Sequence, residues 1–201
     1  MVESESINEL GNALGAYDLR LNFFLPSTTL SVYRQIYLED TVSLQLRSPW
    51  DGLWGVALEF ENRPGGLRSV LWEHVNTKQQ GSKSFERGGT DNYYNHVLYS
   101  SGWTHRGGAL GLPLALTEEG FGGVVNNILI AHHVGIEGIL AGRVSYTARI
   151  SYSRNYGVHD FFDLETLMHI ETELPLERRD QVSIALNLKR LISSQYKPNG
   201  L

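Results

Sequence analysis

The sequence predicts an all-β, antiparallel up-and-down transmembrane β-barrel, partial, with about eight strands of a larger barrel, and three observations carry that reading. Apolar side chains alternate with polar or small ones at period 2, as they do where one strand face meets lipid and the other a lumen. The connections between the alternating segments are by turns short and long, as periplasmic turns and extracellular loops are. The composition agrees: 41 % of the 201 residues are hydrophobic and 19 % charged, with 21 Gly, 10 Tyr and 4 Trp against 2 Met and 6 Pro. Aromatic side chains and turn-forming glycines suit a pleated surface better than helices. No stretch approaches the roughly 18 apolar residues of a spanning helix, which excludes a helical membrane protein.

The first expected strand, 16–25, sets Tyr17, Leu19, Leu21, Phe23 and Leu25 against Asp18, Arg20 and Asn22. A tight turn at Pro26, Ser27 and Thr28 leads to the second, 29–38. After a loop from Glu39 to Gly52, the third strand, 53–60, alternates Trp54, Val56, Leu58 and Phe60 with Gly55, Ala57 and Glu59. The turn Arg63-Pro64-Gly65-Gly66 opens the fourth strand, 67–77, and the loop 78–126 then separates it from the fifth, 127–140. A turn at Ala141 and Gly142 precedes the sixth, 143–156, where Val144, Tyr146, Ala148, Ile150 and Tyr152 face away from Ser145, Thr147, Arg149, Ser151 and Ser153. A medium loop near 155–162 leads to a seventh strand, 163–174, carrying Glu165, His169, Glu171 and Glu173 on one face. A short connection near 175–179 then leads to an eighth, 181–190, with Val182, Ile184, Leu186 and Leu188 on the other side from Gln181, Ser183, Asn187 and Lys189. With eight strands the first runs toward a periplasmic turn and the eighth toward the outside, so both ends of this single segment, 1–201, are expected outside. Residues Met1 to Ser6 have neither a basic nor an apolar leader region. Together with the strand count, this predicts that the chain is a piece of a longer barrel.

Several classes fall away on composition. With no cysteine there is no disulfide framework and no thiolate metal site. A net charge of -5 opposes nucleic-acid binding, which needs a basic face to neutralise phosphates. His132 and His133 are adjacent, but neighbours on a strand point to opposite faces and cannot share one ion, so no metal or other cofactor is expected. Glu165, Glu171 and Glu173 form a candidate acid and base set for glycoside hydrolysis. The basic residues Arg149, Arg154 and Lys189, expected on neighbouring lumen faces, make a solvated charge lattice the simpler reading. No nucleophile-elbow, P-loop or HExxH pattern is present.

The loop 78–126 is too long to be a passive connection. Its segments 88–95 and 100–108 mix Tyr93, Tyr94 and Trp103 with Asp91, Asn92, Asn95, His105 and Arg106 on a glycine-rich backbone. Aromatic faces stack on pyranose rings, while amides, carboxylates and guanidinium groups pair with vicinal hydroxyls. The same residues are also suited to folding the loop onto itself or plugging the lumen.

Four stretches carry a family resemblance: Gly11 and Asn12 with Gly15 to Leu19, Tyr33 to Gln35 with Tyr37 to Asp40, Asp51 to Gly55, and Gly89 to Asn95 with Ser101 to Trp103. A weaker one joins Ala131 to Gly138 with Ser151 to Gly157. In these the chain resembles the C-terminal half of the Wzi-like capsule-assembly family of outer-membrane β-barrels, in its Bacteroidetes-type branch. The resemblance implies a large monomeric barrel in the bacterial outer membrane, a non-enzymatic lectin that holds surface or capsular polysaccharide at the cell exterior. The expected carbohydrate contacts are Asp91, Asn92, Tyr93, Tyr94, Asn95, Trp103 and Arg106. The alternative is a porin-like channel whose selectivity is set by Arg149, Glu171 and Lys189.

Overall fold

In the computed structural model, the structure describes residues 14–38, 46, 48–61, 66–80, 92–96, 99–118, 121–140, 143–158, 160–163, 165–166, 168–171 and 178–190. Its frame is one antiparallel sheet of seven strands, in which every strand pairs with the strands before and after it in that frame. These strands are β1 (Gly15–Leu25), β2 (Thr28–Leu38), β3 (Gly52–Phe60), β4 (Leu67–Asn76), β8 (Leu129–Leu140), β9 (Val144–Asn155) and β12 (Arg179–Arg190). Between β4 and β8 the chain adds the short β5 (Thr104–His105), β6 (Gly108–Ala109) and β7 (Phe121–Gly122). Between β9 and β12 it adds β10 (Asp160–Asp163) and β11 (Met168–Glu171). The fold is all-β, with no helix among the described residues, and the expected antiparallel arrangement holds.

The expected strand 163–174 is replaced by a different structure. β10 and β11 form a hairpin that joins β7 in a separate small sheet, so β12 pairs directly with β9. The segment turns back on itself, so that Asp160–Asp163 pairs with Met168–Glu171 instead of running as one strand along the large sheet. Glu165 is exposed between the two short strands, and Glu173 lies outside the described residues. With seven strands in the frame, β12 runs from the long-loop end toward the short-turn end, the reverse of the direction expected for an eighth strand.

The alternation of connections survives this change. The strand bounds leave short connections at one end, between Leu25 and Thr28, Phe60 and Leu67, and Leu140 and Val144, and long ones at the other, between Leu38 and Gly52, Asn76 and Leu129, and Asn155 and Arg179. The register then turns period 2 along each strand into rows across the sheet. Leu21, Val32, Val56, Trp72, Val134, Ile150 and Ile184 are successive cross-strand partners through all seven strands. One step toward the short turns, Phe23, Leu30, Leu58, Val70, Ile136, Ala148 and Leu186 repeat the pattern. This apolar face is open: Leu21 is 66 % exposed and Ile184 77 %.

The opposite face is polar. Its matching row runs Arg20, Tyr33, Gly55, Glu73, His133, Ser151 and Ser183. Tyr33 donates to Glu73 at 2.5 Å, and its ring crosses the space that a Cβ at Gly55 would occupy. His133 Nδ1 lies 2.6 Å from Ser151 Oγ. Arg149 and Lys189 share this polar face with Glu137 around a cavity of about 410 Å³ near the short turns. Arg154 does not belong with them. It lies one residue out of phase, on the apolar side near the loop end, where it pairs with Asp180 at 3.2 Å.

The core is not between two layers of sheet. It forms where the loop 78–126 folds onto the loop end of the polar face, packing Tyr93, Tyr94, Leu112, Ala115 and Val124 against Tyr37, Val75 and Ala131.

Candidate functional site

The centre of the loop's packing is Asp51, the residue before β3, whose carboxylate is 1 % exposed. It accepts from the backbone N–H groups of Gln79 at 3.0 Å and Gln80 at 2.7 Å, and from the Tyr93 hydroxyl at 3.1 Å. Three donors on one buried carboxylate offset the cost of removing its charge from water, so the pattern ties two loops together. Gly52 beside it takes a φ of 123°, and a Cβ there would collide with the Gln35 carbonyl of β2.

From this point the loop is held by side chains that stand in for a sheet ladder. The Asn127 amide donates at 2.6 Å both to Asn92 Oδ1 and to the Tyr93 carbonyl. Asn95 donates to the Val124 carbonyl at 2.8 Å and accepts from the Val124 N–H at 2.7 Å, the reciprocal pair a backbone amide would make. Tyr93 meets Tyr37 edge to face, with ring centroids 6.1 Å apart. Trp103 joins backbone to backbone with Tyr94, at 2.8 Å, and with Leu110, at 2.9 Å. Between Trp103 and Leu110, β5 and β6 form a hairpin turned by Arg106 and Gly107, with φ of 50° and 77°. Two successive positive φ values are those of a type I′ turn.

The expected carbohydrate contacts therefore separate by position. Tyr93 and Tyr94 are buried, at 1 % and 4 % exposure, and their rings belong to the core. Asn92 and Asn95 are half-buried, with their amides engaged inside the loop; Trp103 packs partly against the core. Arg106 is exposed at the hairpin tip. Asp91 lies outside the described residues.

What the loop leaves open is a groove. One cavity of about 750 Å³ lies between the loop and the outer ends of β9 and β12, where Glu118, Phe121, Tyr156, Arg179 and Gln181 line it. A second, of about 550 Å³, reaches beneath the β5–β6 hairpin past Ser100, Ser101 and Thr104. Thr117, Glu118 and Phe121 line both, so the two adjoin at that segment. The floor is rigid: Asn126 donates to Asn155 at 3.0 Å, and its own oxygen accepts from the Gly157 N–H at 3.0 Å. Lys78 sits over the Tyr156 ring, 4.4 Å from its centroid. Aromatic rings, a carboxylate, a guanidinium group and amides along an open trough suit an extended polyhydroxylated ligand. Sequence spacing could not reveal this groove, because its walls come from segments that meet only through the β9–β12 register and the folded loop.

No three His, Asp or Glu among the described residues converge to hold a metal ion. The groove's acidic residues, Glu118 and Asp180, include one already bound to Arg154 and Arg178. No family model, curated protein or solved structure matches the chain.

Proposed function

We propose that this chain forms part of the wall of a bacterial outer-membrane β-barrel, and that its loop end binds surface or capsular polysaccharide without chemically altering it. The observation that carries this reading is the pair of apolar rows crossing all seven strands on the open face, set against a polar opposite face. A soluble protein rarely exposes so large a contiguous apolar surface, whereas hydrocarbon covers it without cost. Strands of 9 to 12 residues match the length that a tilted strand needs to cross a bilayer. The long connections, gathered at one end, correspond to the extracellular loops.

The groove lined by Phe121, Tyr156, Glu118 and Arg179 supports the polysaccharide reading. In it the loop's aromatic core serves as the scaffold. The test is binding of the native surface glycan to the purified protein. Tyr156→Ala and Arg179→Ala are expected to weaken it about tenfold each, the worth of a stacking contact or a charged hydrogen bond. Unchanged affinity in both variants refutes the assignment of this groove.

A second reading is favoured by a separate observation. The short-turn half of the polar face carries Glu137, Arg149 and Lys189 around an open cavity, as the lumen of a channel would. Conductance across planar bilayers whose ion selectivity shifts in Arg149→Glu supports the channel. A closed pore supports the plugged lectin.

A further inference from the structure

The row immediately loopward of the two apolar rows breaks their pattern. Leu19, Arg34, Trp54, His74, His132, Tyr152 and Val182 are successive partners there. The Arg34 guanidinium lies 4.0 Å from the centroid of the Trp54 ring, which in turn stacks on Trp50 at 6.4 Å. One guanidinium nitrogen donates to the Pro49 carbonyl, while its Nε is buried without a hydrogen-bond acceptor among the described residues. Two strands away, the rings of His74 and His132 stack at 4.6 Å, and Trp72 packs near both, at 6.3 and 6.0 Å. His74 Nδ1 donates to the Ala131 carbonyl at 3.2 Å, so Nε2 is its remaining polar atom. Between these groups lies an open groove of about 450 Å³ lined by Trp50, Trp54, Trp72, His74 and Asn76, with no carboxylate in its wall.

We infer that this patch is a seat for the two-phosphate headgroup of an outer-leaflet lipid, with Arg34 facing one phosphate, His74 and His132 the other, and the indoles flanking the first carbons of the lipid. The inference rests on the membrane-wall reading above. Charge complementarity selects this occupant. A guanidinium and two imidazoles stand in one row beside the two apolar rows, and guanidinium and imidazole N–H groups donate hydrogen bonds to phosphate oxygens. Position selects it too. The row stands immediately loopward of the apolar rows, at the level where Trp side chains collect at a bilayer interface and where headgroups lie. From Arg34 to His132 the row spans three inter-strand steps, roughly 14 Å, within reach of one headgroup.

The test uses the purified protein in vesicles of phosphatidylcholine alone, of phosphatidylcholine with diphosphoryl lipid A, or of phosphatidylcholine with the dephosphorylated form of that lipid. Co-purified lipid is counted by native mass spectrometry. Insertion is read separately as quenching of tryptophan emission by brominated phosphatidylcholine. The phosphorylated lipid is expected to be retained about tenfold over its dephosphorylated form, and Arg34→Gln or the double variant His74→Gln, His132→Gln to abolish that preference. His133→Gln, on the polar face, is expected to leave it intact. Equal retention of both lipids with normal quenching overturns the headgroup seat and leaves the membrane wall standing. Absence of quenching overturns both. Displacement of the lipid by millimolar inorganic phosphate overturns the lipid as the source of the anion.

Discussion

Replacing Ile184 by arginine separates a membrane wall from a water-exposed sheet. Ile184 stands in the middle apolar row, opposite Ile150 on β9, and is 77 % exposed. If that face meets water, only about a quarter of the side chain's burial free energy is lost, about 0.5 kcal/mol from the 1.5–3 kcal/mol of a fully buried isoleucine. If it meets hydrocarbon near the middle of the bilayer, arginine costs about 2–4 kcal/mol. The two outcomes differ by about 1.5–3.5 kcal/mol, beyond the uncertainty of a denaturant titration. The assay is reversible unfolding in guanidinium from phosphatidylcholine vesicles, followed by tryptophan emission. Ser183→Arg, one residue away on the polar face, is the internal control and is expected to change stability by under about 0.5 kcal/mol. A destabilisation by Ile184→Arg no larger than that of Ser183→Arg refutes the inference that the apolar rows face lipid.

Other expectations follow from the loop's anchoring. Asp51→Ala leaves two backbone N–H groups and the Tyr93 hydroxyl without their acceptor, and is expected to cost about 3–5 kcal/mol and to open the loop to limited proteolysis between residues 78 and 126. Tyr93→Phe removes only the hydroxyl from that carboxylate, so its cost, read from the same digestion, is expected to be about 1.5–3 kcal/mol. Gly102→Ala forces a Cβ onto the Tyr94 carbonyl at a φ of 54° and is expected to destabilise the loop by more than about 1 kcal/mol in hydrogen exchange. Arg106→Ala, at the exposed hairpin tip, is expected to leave that protection unchanged.

Seven strands of the large sheet were legible because period-2 alternation is a property of neighbours in sequence. Val144 to Tyr152 and Val182 to Leu188 announce their faces whatever the rest of the chain does. The unequal connections were legible for the same reason, since Pro26-Ser27 and Ala141-Gly142 bracket strands too closely for anything but a turn. The reading failed at 163–174, because alternation alone does not say where a chain turns back: Asp160–Asp163 and Met168–Glu171 pair with each other and not with the large sheet. It also placed Arg154 on the polar face, out of phase with Arg149. Of the residues expected to contact carbohydrate, Tyr93 and Tyr94 are buried in the loop's core, Asn92, Asn95 and Trp103 are half-buried, and Arg106 is exposed.

By itself, then, the order of residues determined which segments extend, which face of each is apolar, and at which end the chain lingers. Tertiary structure alone decided that His74 meets His132 rather than His133, that Asp51 gathers Gln79, Gln80 and Tyr93, and that Tyr156 and Arg179 share a groove with Phe121. The physical reason is range: alternation is set by the geometry of one strand, whereas cross-strand partners and a folded loop depend on register between segments far apart in the chain, which no local pattern encodes.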